Sequence, residues 1–139
     1  MNRTELRQLA EDRVLDAKAL IDAGRWSGAY YMAGYAMECG LKACVLALVE
    51  RTGEIFMDKE FSRKRFTHKL IELIGVAQLT NSHNDLLKKN SSFRSYWTIA
   101  EDWTEASRYQ QQTESGARAI YKAITDDPNG ILPWIRTHW

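Results

Sequence analysis

The sequence predicts an all-α protein: an antiparallel four-helix up-and-down bundle with a short extra C-terminal helix. Three observations carry that prediction. No stretch sustains the period-two alternation of apolar and polar residues that a half-buried strand needs. Several stretches instead repeat apolar residues at three- and four-residue steps, the period of a helix with one buried face. Breakers are few, with two prolines, both near the C-terminus, and eight glycines. Helices with mostly short connections between them pack as antiparallel neighbours. The 139 residues suit a single domain over 1–139, long enough to bury a core without disulfides or metal.

The first helix is expected from about Thr4 to Ala23. Leu6, Leu9, Ala10, Val14, Ala17, Leu20 and Ile21 make its apolar face, and Gly24 is a natural stop. The second runs from about Trp26 to Arg51 and is apolar on nearly every side, as a central helix must be. Its small residues, Gly28, Ala29, Ala33, Gly34, Ala36, Gly40 and Ala43, allow close approach of neighbours. Residues 52–66 read as a loop ending in the basic run SRKRF. Thr67 is placed to cap a third helix, HKLIELIGVAQL, with Leu70, Ile71, Ile74 and Ala77 on one face. A fourth carries Leu86, Phe93, Trp97 and Ala100, with a break suggested at Asn90–Ser92. WTEASRY follows as a turn capped by Thr104. A fifth helix covers about Thr113 to Thr125, DDPNG stops it, and ILPWIRTHW closes the chain as a short aromatic segment.

Composition narrows the function classes. Hydrophobic residues make up 45% and charged residues 27%, ordinary for a globular protein. A net charge of +1 gives no global field that selects a nucleic acid or a membrane, so such a preference would need a local patch. Cys39 and Cys44, five positions apart on one helix, lie about 140° apart around its axis and cannot pair with each other. They read as small buried hydrophobes in a reducing compartment. The polar start MNRTELRQLAEDR is no signal peptide. The longest fully apolar run, Ala43 to Val49, is far shorter than a membrane span. The expectation is a cytoplasmic protein with no membrane partner. There is no glycine-rich phosphate loop, no Cys/His cluster for zinc and no serine elbow. His68, His83 and His138 are far apart in sequence, so no metal and no cofactor is expected.

One pattern interrupts the apolar second helix. Tyr31, Tyr35, Glu38 and Lys42 are spaced by four, three and four, which stacks them on one face. Glu38 ahead of Lys42 is also the favourable order for a helical ion pair. Two readings compete: a partly exposed seam with a structural salt bridge, or one wall of a groove between helices, where bundles build ligand sites.

GRWSGAYYMAGYAMECGLKACV resembles the central helix of the HEPN (higher eukaryote and prokaryote nucleotide-binding) domain family, with its Gly-Ala-Tyr-Tyr opening followed by a Glu and a Leu-Lys-Ala. FTHKLIELI resembles the family's Thr-His-x-Leu start of helix three. Ser107 to Tyr109 resembles its Arg-Tyr after helix four, and GILPWIRTHW resembles the closing segment of one bacterial subgroup. The matches lie in order and span nearly the whole chain. The resemblance implies a bundle of four or five helices, a homodimer, and a bacterial or archaeal conflict or toxin–antitoxin setting. It implies action on RNA or nucleotides, either as a metal-independent toxin-type ribonuclease or as the partner of a minimal nucleotidyltransferase. The alternative is a non-catalytic helical module for dimerisation or protein interaction.

Many members of that family cut RNA with an Arg followed, four to six residues later, by a His. Arg63 and His68 have that spacing here. A histidine can act as general base or acid on a ribose 2′-hydroxyl, and an arginine can neutralise the strained phosphate. Arg63 and His68 are therefore the candidate catalytic pair, with a capping or packing role for His68 as the competing reading. Arg63, Lys64, Arg65 and Lys69 bring positive charge with no acid between them, so Arg65 and Lys69 are candidate phosphate contacts, against the plainer reading of a solvated loop. Tyr35, Glu38, Lys42, Arg108 and Tyr109 complete the expected nucleotide- or RNA-binding set. Trp97 and Trp103 could stack on bases but read more readily as core.

Overall fold

The structure, a computed structural model, describes residues 1–53 and 67–139. Among the described residues the chain is all helical, with seven α-helices, one 3-10 turn and no strand. Helix α1 is Arg3–Asp22, α2 Trp26–Thr52, α3 Leu70–Val76, α4 Thr80–Lys89, α5 Ser91–Ala100, α6 Glu114–Thr125 and α7 Ile131–Arg136, with the 3-10 turn at Glu105–Tyr109 between α5 and α6.

The termini of these helices follow from local chemistry. Asn2 opens α1 with a reciprocal capping box, its side chain accepting from Glu5 N–H while the Glu5 carboxylate accepts from Asn2 N–H, both at 2.9 Å. Gly24 and Gly53 each take a φ of +70° just past α1 and α2, a conformation that costs glycine nothing. The third helix is shorter than expected. It starts after Lys69 rather than at a Thr67 cap, and Thr67 Oγ1 instead accepts from Lys69 N–H at 3.1 Å in a local turn. It ends before Gln78, which adopts φ 58°, and the Leu79 N–H closes on the Ile74 carbonyl at 2.9 Å. The fourth expected helix divides at Asn90, which ends α4 and then caps α5 by accepting from Phe93 N–H at 2.9 Å. Thr113 caps α6 through Gly116 N–H at 3.1 Å.

Helix α2 is the axis around which the rest is packed. Arg3 of α1 pairs with Glu50 at the far end of α2, while Leu20 lies against Gly28 at its near end, so α1 and α2 form an antiparallel hairpin. Helix α6 starts beside the start of α2, where Gln112 N–H donates to Ser27 Oγ at 2.9 Å, and α7 lies against Gly40 and Cys44 further along. Helix α5 runs opposite to α6, tied by Tyr96 O–H to Asp126 at 2.7 Å and by Asn90 to Asn129 at 3.0 Å. By length and composition α2 could cross a membrane, but 72% of its most apolar window is buried in this fold, as befits a core helix. Trp103 lies flat over Gly34, where a Cβ would overlap its ring, and Tyr31 packs beside that indole at 5.8 Å.

Candidate functional site

The stripe on α2 contains a buried carboxylate. Glu38 is 1% exposed. Its Oε1 accepts from Lys42 Nζ at 2.8 Å, one turn along the same helix, and lies 2.7 Å from His68 Nδ1 in the segment leading into α3. A carboxylate oxygen accepts, so a hydrogen bond across this contact places a proton on Nδ1 and leaves Nε2, on the far edge of the ring, outside it. Nε2 lies 3.6 Å from Glu105 Oε2 on the 3-10 turn, and Glu105 Oε1 lies 3.7 Å from Arg108 Nη1. Lys42, Glu38, His68, Glu105 and Arg108 thus form one line of polar groups joining α2, the lead-in to α3 and the 3-10 turn.

His68 and Glu105 border a cavity of ≈ 820 Å³ whose apolar wall includes Leu70, Ile71, Trp97 and Trp103. Both tryptophans are nearly buried, at 6% and 2% exposure, so they are packing residues that shape the cavity, not free stacking platforms. Glu101 and Asp102 also line it.

Three titratable groups of α2, Tyr35, Cys39 and Cys44, have raised pKa values. Burial first, then Cys39 and Glu38, pushes the Tyr35 phenol above its usual range. Burial, reinforced by Glu38, pushes the Cys39 thiol up to about 11, and burial pushes Cys44 up to about 12. Neither cysteine is a nucleophile near neutral pH, since the thiolate is the reactive form.

Of the expected site residues, Glu38, Lys42, His68 and Arg108 are brought together, and Tyr35 lies on the same stripe, stacked on Tyr31 at 6.0 Å. Tyr109 is 79% exposed, with the Arg108 guanidinium 4.8 Å above its ring. Lys69 points outward and lies 3.8 Å from Glu72. Arg63 and Arg65 lie outside the described residues. Reading the sequence missed Glu105, whose one signal was its place three residues before Arg108. Among the described residues no group of three or more His, Cys, Asp or Glu is arranged to hold a metal ion.

Comparison of the chain with family models, with curated proteins and with solved structures finds no match.

Proposed function

We propose that this chain is a HEPN-like domain acting on RNA or nucleotides, with His68 at its working centre. Helices α1, α2, α5 and α6 would be the four staves of its up-and-down bundle, a reading supported by the antiparallel contacts of α1 with α2 and of α5 with α6. The observation that carries the functional reading is the Glu38–His68 contact at 2.7 Å. A buried carboxylate holding one imidazole nitrogen sets the ring's tautomer and orientation, which is how a histidine is prepared as a general base. His68 also borders the cavity, where a ligand could reach the ring.

In ribonuclease chemistry Nε2 takes the proton of a ribose 2′-hydroxyl. The 2′-oxygen bonds to phosphorus, the bond from phosphorus to the 5′-oxygen breaks, and that oxygen takes a proton from water. Arg63 or Arg108 neutralises the charge that builds on the phosphate. The expected result is metal-independent cleavage of single-stranded RNA: EDTA leaves the wild type active and His68→Ala abolishes cutting. Unchanged cleavage by His68→Ala would remove His68 from the chemistry. No cutting of several RNAs by the wild type, alone and with a candidate nucleotidyltransferase partner, would sink the catalytic reading.

The second reading is a non-catalytic homodimerisation or protein-docking module. It is favoured by Ile71, which is 60% exposed beside the cavity, and by Glu101 and Asp102, acids that oppose a phosphate there. Light scattering separates the homodimer from the monomer.

A further inference from the structure

The Glu105 carboxylate lies between the His68 imidazole and the Arg108 guanidinium, and the guanidinium attracts anions. One oxygen is 3.6 Å from His68 Nε2 and the other 3.7 Å from Arg108 Nη1. Charge-assisted hydrogen bonds are shorter, at about 2.7–2.9 Å, so Glu105 is attracted by Arg108 and bonded to neither group. The contrast with the opposite edge of the imidazole is sharp, because there Glu38 is at 2.7 Å and its side chain is 2% exposed. The side chains of His68, Glu105 and Arg108 are 47%, 37% and 47% exposed, so solvent and ligands reach all three.

We propose that Arg108 forms a phosphate-binding site beside His68 and that Glu105 is its internal occupant, displaced when a single-stranded nucleic acid binds. A phosphodiester presents two anionic oxygens sharing one negative charge, as a carboxylate does. It can therefore take the place of Glu105 between the imidazole and the guanidinium. The guanidinium suits that exchange, since its fork of donors matches phosphate as well as carboxylate. Displacing Glu105 is easy, because exposed ion pairs contribute little. Tyr109 favours a nucleic acid strand over a bare phosphate ion. Its ring is 79% exposed and lies directly under the Arg108 guanidinium, offering a face on which the adjoining base can stack. Glu105 thus keeps the empty site neutral and makes phosphate compete for it.

The inference rests on the reading of His68 as the centre of a nucleic-acid site, but its test needs no cleavage. The probe is a fluorescein-labelled, all-deoxy single strand, which lacks the 2′-hydroxyl and cannot be cut by the route above. Binding is read by fluorescence anisotropy. Glu105→Gln should tighten binding about tenfold, because it removes the competing charge at contact distance. Glu101→Gln removes an acid from the same cavity and should tighten binding no more than about twofold. Adding Arg108→Ala to Glu105→Gln should cancel the gain. The proposal is overturned if Glu105→Gln binds no tighter than the wild type, if Glu101→Gln gains as much, or if the gain survives the loss of Arg108. Loss of RNA cleavage in any variant bears on the chemistry of His68 and leaves this binding test standing.

Discussion

Glu38 is the residue on which the site turns. A carboxylate 1% exposed is tolerable only with charged or donating partners, and it has two: Lys42 and His68 both meet Oε1. Glu38→Gln leaves the Lys42 ammonium and the His68 N–H facing a neutral amide. Lys42 keeps 24% side-chain exposure and can swing toward water, which moderates the loss to about 2 kcal/mol, below the range for a fully buried pair. Glu38→Gln combined with Lys42→Met removes the uncompensated charge. The double variant should be more stable than the sum of its single changes predicts, by at least about 1 kcal/mol in urea unfolding. Strict additivity would mean the pair is a solvated decoration. His68 survives in the double variant, so full recovery is not expected.

At the scale of elements, the glycines separate close packing from plain propensity. Gly34 in α2 supports the flat face of Trp103, and a Cβ there would overlap the ring. Alanine is the better helix former by about 0.5–1 kcal/mol, yet Gly34→Ala should destabilise by about 2 kcal/mol because a buried indole has nowhere to retreat. Gly75 in α3 is the opposite case: a Cβ there meets nothing within 4 Å. Gly75→Ala should raise stability by roughly 0.5–1 kcal/mol. Thermal denaturation followed by circular dichroism checks both. Equal effects of the two substitutions would show that Trp103 does not need the bare backbone of α2. The other glycines of α2 follow the same pattern: Leu20 comes close at Gly28 and Ile135 at Gly40, as Trp103 does at Gly34.

Across the whole molecule, α4, α5 and α7 are joined through an aromatic cluster around His83. The ring is 2% exposed, edge-on to Trp97 at 4.4 Å and Phe93 at 5.9 Å, with Trp134 at 5.4 Å. Burial lowers its pKa below the usual 6.5, and burial with the nearby Arg51 does the same to His138. The neutral ring is therefore the folded form. As pH falls below about 6.5 the unfolded chain takes up protons that the folded chain still refuses, so ν of the unfolded state exceeds that of the folded state and stability drops. That stability is fully present above 6.5, is lost as pH falls toward the folded value, and levels off beneath it. Each pKa unit of difference is worth about 1.4 kcal/mol. Urea midpoints taken from about pH 7.5 down to 5 should fall, and His83→Leu should flatten that decline. An unchanged slope in His83→Leu would assign the acid sensitivity elsewhere.

What was legible in the sequence was everything encoded within one helix. The apolar period placed α1 and α2 to within one or two residues, since the backbone repeat and the glycines at 24 and 53 act locally. The stripe from Tyr31 to Lys42, with its ion pair, followed from helical geometry alone. The shortening of the third helix and its start at Leu70 were not legible. Gln78 carries no composition signal for the left-handed conformation, and it is the burial of Leu79 that favours the turn. Nor could sequence reveal that Glu38 is buried or that its second partner is His68, 30 positions further on. Only the packing of the lead-in to α3 and of the 3-10 turn against α2 decides that His68 and Glu105 meet. Such a meeting depends on where helices cross, and no local period records it.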